Sequence, residues 1–387
     1  MCSSDLVPTA SIDGVNARVF RNGDLSYIVT DVRTPVDCGY SIPDTCFARA
    51  QQIQVVDLST GTPVLRGKVQ LPSDRWGWYG GIWCGFWWYD WWWGDEVAQV
   101  GNDALAFRRW QPVYDEHGRY LDANSHLFVV DLANPDAPAI ASTVIQTDPD
   151  AWWGNVRVVG NTLYTTHYEW VEHPDGGQGW VRYFLDAIDL RDRAHPRIGA
   201  KVNVPGLLVG GDASDPSLIY TVDYRWDGDD NPIDDFNVVR ISGDEATLIS
   251  HIAIDGWAGS TFVKGTQAYL SAQKWIATGD DTGYSRIDLH AIDLSNPIHP
   301  RDRVASDNGW GWLLAVEGDR ALVTSGWWGE QAIDVYQLRT GEAPRFEQTV
   351  RTRGWWVNGV SRQDDSLFVS SGYWGVQKIQ LEQPTWP

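Results

Sequence analysis

Apolar and polar residues alternate along this chain in short runs with a period of two. Seven segments share one form: an apolar run, a turn rich in Gly, Asn or Asp, and a second apolar run. They are ARVFRNGDLSYIVTD at 17, EVAQVGNDALAFRR at 96, VRVVGNTLYTTHY at 156, LLVGGDASDPSLIYTVD at 207, STFVKGTQAYLSA at 260, LLAVEGDRALVTSG at 313 and GVSRQDDSLFVSSG at 359. Two strand-like runs joined by such a turn predict a β-hairpin. No segment sustains the i, i+3, i+4, i+7 spacing of a helix.

A second phrase follows each hairpin. It reads VVDLSTGTP at 55, VVDLANPDAP at 129, AIDLRDRAHP at 187 and AIDLSNPIHP at 291, with degenerate copies VVRISGDEAT at 238 and VYQLRTGEAP at 335 and a final VQKIQL at 376. Each of the first six is followed by one more strand, such as VLRGKVQL, AIASTVIQ or RFEQTVRT. The repeating unit is therefore a four-stranded antiparallel meander. The phrases recur at intervals from about 43 to about 74 residues, the spacing of propeller blades with variable loops. The expected fold is all-β: a seven-bladed β-propeller of four-stranded antiparallel blades spanning 7–381, with a tail at 382–387. The last blade lacks a fourth strand, and VPTASIDG near the N-terminus is similar to LISHIAIDG at 248. Residues 7–13 are thus expected to close the ring, removing an open sheet edge. Residues 1–6, MCSSDL, resemble a translated sequencing adapter and are expected to be foreign or to mark a truncated start.

The phrases VVDLANPDAP and AIDLSNPIHP resemble the LVIVD-type repeat of bacterial and archaeal β-propeller proteins. That resemblance implies the propeller fold and an extracytoplasmic setting, secreted, periplasmic or on the cell surface. It implies no particular activity. The chain departs from the pattern in a Trp-rich insertion at 82–93 and in the copies at 238 and 335.

Composition narrows the functional classes. Lys+Arg number 30 and Asp+Glu 51, a formal net charge of −21. Such a surface repels nucleic acid and anionic lipid. The stretch from Ile82 to Trp93 is about half the length of a transmembrane helix and contains Asp90. Of the four cysteines, Cys38 and Cys46 bracket the short loop CGYSIPDTC, where a local disulfide is expected in an oxidising compartment, with Cys84 able to compete for either partner.

In an up-down meander the hairpin turn and the turn after the phrase share one end of the blade. The second-to-third-strand connection and the link to the next blade share the other. Of the 24 tryptophans, all but Trp386 fall at or beside that second end. The single repeated positions Trp152, Trp257, Trp310 and Trp355 are expected as wedges between blades, with Trp170, Trp226, Trp275, Trp328 and Trp374 packing against them. The stretch GGIWCGFWWYDWWWGDE at 80–96 is too dense for wedges alone. Its Trp83, Trp87, Trp88, Tyr89, Asp90, Trp91, Trp92 and Trp93, with Trp328 and Trp374, are candidates for stacking on a glycan or a protein partner. A loop packed on itself over the channel is the competing reading.

Other chemistry is sparser. WDGDDNPIDDF at 226–236 offers Asp227, Asp229, Asp230, Asn231 and Asp234 as oxygen ligands for Ca²⁺, against the reading of a solvated acidic turn. The eight histidines, His117, His126, His167, His173, His195, His251, His290 and His299, show no metal-ligand spacing. His195 and His299 precede the turn prolines of the phrase; His167 ends a hairpin near the Trp-rich end. No nucleophile elbow or phosphate loop appears. The reading is a non-enzymatic recognition module. A metal-dependent propeller hydrolase with a channel site and a purely structural envelope module are the alternatives.

Overall fold

The computed structural model describes residues 15–35, 47–60, 62–72, 74–76, 96–114, 120–146, 152–172, 180–226, 232–279, 282–325, 332–352, 357, 359–363, 365–370 and 376–381. Among them there is no helix; every regular element is a strand, and the strands form seven antiparallel sheets in chain order. Sheet I contains Val15–Asn22, Leu25–Pro35, Phe47–Asp57 and Val64–Gln70, with Asp74–Trp76 also paired to its third strand. Sheet II contains Glu96–Val100, Ala104–Tyr114, Tyr120–Asp131 and Ala139–Gln146. Sheet III contains Trp152–Val159, Thr162–Val171, Trp180–Asp189 and two short pieces on its third strand, Arg197–Ile198 and Val202–Val204. Sheet IV is Leu207–Gly211, Leu218–Trp226, Pro232–Ser242 and Glu245–Asp255; sheet V is Trp257–Lys264, Gln267–Gly279, Thr282–Asp293 and Arg301–Asn308. Sheet VI is Leu313–Glu317, Arg320–Ser325, Ala332–Gln337 and Arg345–Arg351; sheet VII has the three strands Gly359–Gln363, Ser366–Ser370 and Val376–Gln380. Each of the seven hairpins and seven phrases in the sequence has its sheet. Residues 7–13 and the cysteines Cys38 and Cys46 lie outside the described residues.

The hairpin glycines explain five of these turns. Gly23, Gly101, Gly160, Gly265 and Gly318 have φ between 58° and 62°. That region is open to glycine and strained for residues with a Cβ. The register also slips by a bulge in the first strands of sheets I, III, IV, V and VI, and between third and fourth strands of sheets I, II, IV and VI. Bulges add twist, and they recur at corresponding places.

The recurring phrase has a physical reason. Its apolar residue at the end of the third strand or just past it, Leu58, Leu132, Leu190, Ile241, Leu294, Leu338 or Leu381, donates its N–H to a carbonyl in the hairpin turn of the same sheet. The acceptors are Asp24, Asp103, Asn161, Ser217, Thr266, Asp319 and Asp365, at 2.7–2.9 Å. The Asp before it turns the chain by accepting the N–H two residues on: Asp57 from Ser59, Asp131 from Ala133, Asp189 from Arg191 and Asp293 from Ser295, at 2.9–3.1 Å. The degenerate copies put Arg240 and Gln337 there instead, and Arg240 pairs with Asp215 at 3.3 Å. His195 and His299 close the following turns through their N–H groups to Asp192 and Asn296 carbonyls, at 3.1 and 3.0 Å.

The sheets fall into two compact units, one chiefly Leu6–Val181 with Leu185–Lys201, the other chiefly Val202–Pro387. In the N-terminal unit, sheets I and II enclose a core of Tyr27, Val29, Ile53, Val55, Leu105, Phe107, Phe128 and Val130. Sheets II and III enclose another, with Ala104, Ala106, Leu127, Val129, Leu163 and Ile188. In the C-terminal unit, three further cores join sheets IV to V, V to VI and VI to VII. There the first strands of successive sheets lie beside one another, as do those of sheets II and III in the N-terminal unit. Sheets II, V and VI are thus covered on both faces, and within each unit first strands of neighbouring sheets lie side by side.

Charged clamps join neighbouring sheets at the phrase end. Arg66 of sheet I holds Asp136 through two bonds of 2.7 Å and Asp57 at 3.0 Å. Arg193, in the turn after the third strand of sheet III, reaches Asp103 in the hairpin turn of sheet II at 2.5 Å. Gly67 permits this approach: a Cβ there would meet the Pro135 carbonyl oxygen at 2.6 Å.

Two outcomes follow. Leu132 is 1% exposed, and Leu132→Ala should lower unfolding free energy by about 2–5 kcal/mol in denaturant titration. The turn carboxyls are held below their ordinary value: Asp57 by the Ser59 hydroxyl, Asp103 and Asp136 by arginine, and Asp189, by Arg191, at about 2. A depressed folded value stabilises above the unfolded value and is lost as pH falls through the folded one. The urea midpoint should therefore hold above pH ~4 and drop between about pH 4 and pH 2; a flat midpoint across that window would contradict this.

Candidate functional site

Two regions at the link end of the sheets gather chemistry. The first lies between sheets II and III. Along Thr162–Val171, Leu163, Thr165 and His167 alternate onto the face toward sheet II, as do Ala104, Ala106 and Arg108 toward sheet III. The layer nearer the hairpin turns is apolar; the layer nearer the links is polar. Arg108 Nη1 donates to Thr165 Oγ1 at 3.0 Å, and both residues are buried. His167 Nδ1 lies 2.5 Å from Asp186 Oδ2, and Nε2 lies 3.7 Å from Glu169 Oε1, which pairs with Lys201. Asp186 and His167 are each 4% exposed.

A carboxylate on Nδ1 fixes the orientation of an imidazole. Here both ring nitrogens face carboxylates and the ring is shut inside the interface. The pair ties the second and third strands of sheet III, and the Arg108–Thr165 bond joins that sheet to sheet II. Sheet V has a comparable pair: His290 Nδ1 meets Asp302 Oδ2 at 2.8 Å, with His290 also 4% exposed. The sequence reading singled out His167 without its partner. Asp186 is 19 residues away, and only the pairing of second and third strands shows that they meet.

The second region is the link end of sheet V. Trp257, Trp275 and Trp310 are 49%, 63% and 41% exposed, and Trp170 at the corresponding end of sheet III is 59% exposed. This corrects the wedge role expected for Trp257 and Trp310 and the packed role expected for Trp170 and Trp275: a wedge would be buried. Trp257 stands opposite Gln273 in the register, and Trp275 follows two residues along the same strand. The Gln273 amide donates to the Gly311 carbonyl in the link to sheet VI, next to Trp310.

Of the candidate calcium ligands, Asp234 is described. It is fully buried, and its Oδ2 accepts the Ala258 N–H at 2.7 Å, tying sheet IV to the start of sheet V. Asp227, Asp229, Asp230 and Asn231 lie outside the described residues. So do Trp83, Trp87, Trp88, Tyr89, Asp90, Trp91, Trp92, Trp93, Trp328 and Trp374. Among the described residues no three His, Cys, Asp or Glu side chains converge as a metal-binding group, and no helix is long and apolar enough to cross a membrane.

Neither a family model nor a curated protein matches the chain. The likeness of VVDLANPDAP and AIDLSNPIHP to an LVIVD-type repeat therefore rests on those phrases. Among solved structures, the chain is similar to an ulvan lyase described as a new family of polysaccharide lyase, with a TM-score of 0.43, 10% identity, and 94% of this chain and 91% of that chain covered. It is also similar to the β-propeller domain of the Trilobed protease from Pyrococcus furiosus, with a TM-score of 0.36, 9% identity, and 75% and 96% covered.

The buried pair makes an asymmetric prediction. Asp186→Ala removes the buried hydrogen-bond partner of His167 Nδ1 and should lower stability by about 1–3 kcal/mol. Lys201→Ala removes the half-exposed end of the same chain of charges and should lower it by no more than about 1 kcal/mol. Equal effects in urea unfolding would contradict a stabilising role centred on the buried His167–Asp186 pair.

Proposed function

We propose that this chain is a seven-bladed β-propeller, its ring closed by residues 7–13, that works outside the cytoplasm as a recognition module. Its link-bearing end binds a glycan or protein partner without chemistry. The observation that carries this reading is the exposure of Trp170, Trp257, Trp275 and Trp310, from 41% to 63%, at the link ends of sheets III and V. Large aromatic surface left in water at the strand ends of a sheet is characteristic of a binding surface. The net charge of −21 disfavours nucleic acid and anionic lipid as the partner. In this reading the Trp-rich insertion at 82–93, with Trp328 and Trp374, extends the same surface, and the acidic turn at 227–231 with Asp234 would take Ca²⁺ only through the carboxylates beyond Asp234, whose Oδ2 is engaged by Ala258.

The hydrolase reading needs acids or imidazoles opening onto a channel. The His167–Asp186 and His290–Asp302 pairs instead lie inside sheet interfaces. They favour structural roles for both histidines.

Acrylamide quenching of tryptophan emission tests the proposal. The folded protein should show a red-shifted, readily quenched component. Phe substitution at Trp170, Trp257, Trp275 and Trp310 together should remove a large part of it. A blue-shifted spectrum resistant to quencher would mean that the indoles are packed, and the recognition reading would fall.

A further inference from the structure

The link-end corner of sheet V is built around Gln273. Trp257 is its cross-strand partner, Trp275 lies two residues along on the same face, and Trp310 adjoins the carbonyl that its amide holds. Trp257 and Trp275 are thus diagonal neighbours across two strands, about 7–8 Å apart at the backbone, within reach of one extended ligand.

Gly283 sets the posture of Trp275. A Cβ at Gly283 would sit 2.6 Å from Trp275 Cε2 and 2.7 Å from Cζ2. The indole therefore lies directly on the neighbouring strand, where a side chain would otherwise stand. Backbone supports its inner side, and 63% of the residue stays exposed. An aromatic ring held in this way presents a π-face at little cost in side-chain entropy.

The polar groups placed between these indoles carry no charge. They are Gln273, whose Oε1 is buried with no hydrogen-bond partner, and Ser285, opposite Trp275 in the register. Lys274 projects from the other face and is paired with Asp255. Asp307, in the fourth strand, has its oxygens on the Asn308 N–H at 2.7 Å and the Tyr336 hydroxyl at 3.5 Å.

We infer that Trp257, Trp275 and Trp310 form a stacking subsite for a neutral, hydroxyl-rich chain, an uncharged polysaccharide. The inference rests on the reading of the link end as a recognition surface and narrows its ligand. Indole faces pack against the C–H faces of sugar rings, and the Ser285 hydroxyl suits a sugar hydroxyl. A polyanion, or a second copy of this chain, would meet the repulsion of a net charge of −21.

The test is affinity electrophoresis of the full chain in gels containing xyloglucan, galactomannan or mixed-linkage β-glucan, with alginate as the polyanion. The expected result is retardation by at least one neutral polymer and none by alginate. Trp275→Ala and Trp257→Ala should each weaken it by about tenfold, a large aromatic-contact effect. Gly283→Ala, whose methyl would meet the Ile276 carbonyl oxygen at 2.5 Å as well as the Trp275 ring, should weaken it too. Circular dichroism of the two Trp variants should match the wild type, since Trp257 and Trp275 are exposed. Retardation that survives all three substitutions would overturn this subsite while leaving the link-end reading intact. Equal retardation by alginate would overturn the neutral class. No retardation by any polymer would also overturn the inference, whereas the broader reading fails only if the indoles resist quencher.

Discussion

In every sheet the N–H of the apolar residue that closes the third strand donates to a carbonyl of the hairpin turn beside it. This bond joins two turns at one end of the sheet. The residues that make it also cap the apolar layers: Leu132, Leu190 and Leu294 are each 1% exposed. Around it, aspartates tighten the turn, and Arg66 and Arg193 tie one sheet to its neighbour within the N-terminal unit. That end of the sheets is tightly specified, since a change in turn length would break a buried hydrogen bond. Variation in chain length is displaced to the opposite end.

The opposite end is held by other means. Second-strand and third-strand side chains reach the backbone of the incoming links. Asp234 accepts from Ala258 N–H, Ser271 Oγ accepts from Leu313 N–H at 3.0 Å, Thr324 Oγ1 accepts from Trp312 N–H at 3.0 Å, and Gln273 donates to the Gly311 carbonyl. Bonds to backbone fix the path of a link and leave its side chains unconstrained. Tryptophans can then accumulate there without disturbing the cores. Trp257, Trp275 and Trp310 sit on links or strand ends anchored in this way, which joins the rigidity of the fold to the exposure of its aromatic rings. Gly311 marks how tight the anchoring is: a Cβ there would lie 1.8 Å from the Thr324 carbonyl oxygen.

Much of this fold was legible in the residues. The period-two runs, the hairpin glycines and the Asp-Leu phrase each encode a local event, so their order reads off as sheets. The three described strands of sheet VII were visible in the same way, in GVSRQ, SLFVS and VQKIQ. Side-chain partnerships across strands were not legible. His167 meets Asp186, and His290 meets Asp302, only through register. Asp234 looked like one more acid in an acidic turn. Its place in step with Phe236 and Val238, two buried residues of the same strand face, was the available signal that it points inward. The exposure of Trp275 depended on a glycine eight residues away on the neighbouring strand, which no pattern of tryptophans reveals.

Hydrogen–deuterium exchange with and without a bound neutral polysaccharide asks most directly which end of the sheets meets a ligand. The account predicts added protection in the segments around Trp257, Gln273–Trp275 and Trp310, and unchanged exchange in the phrase turns after Leu132, Leu190 and Leu294. Protection concentrated in those turns, with the link ends unchanged, would contradict it.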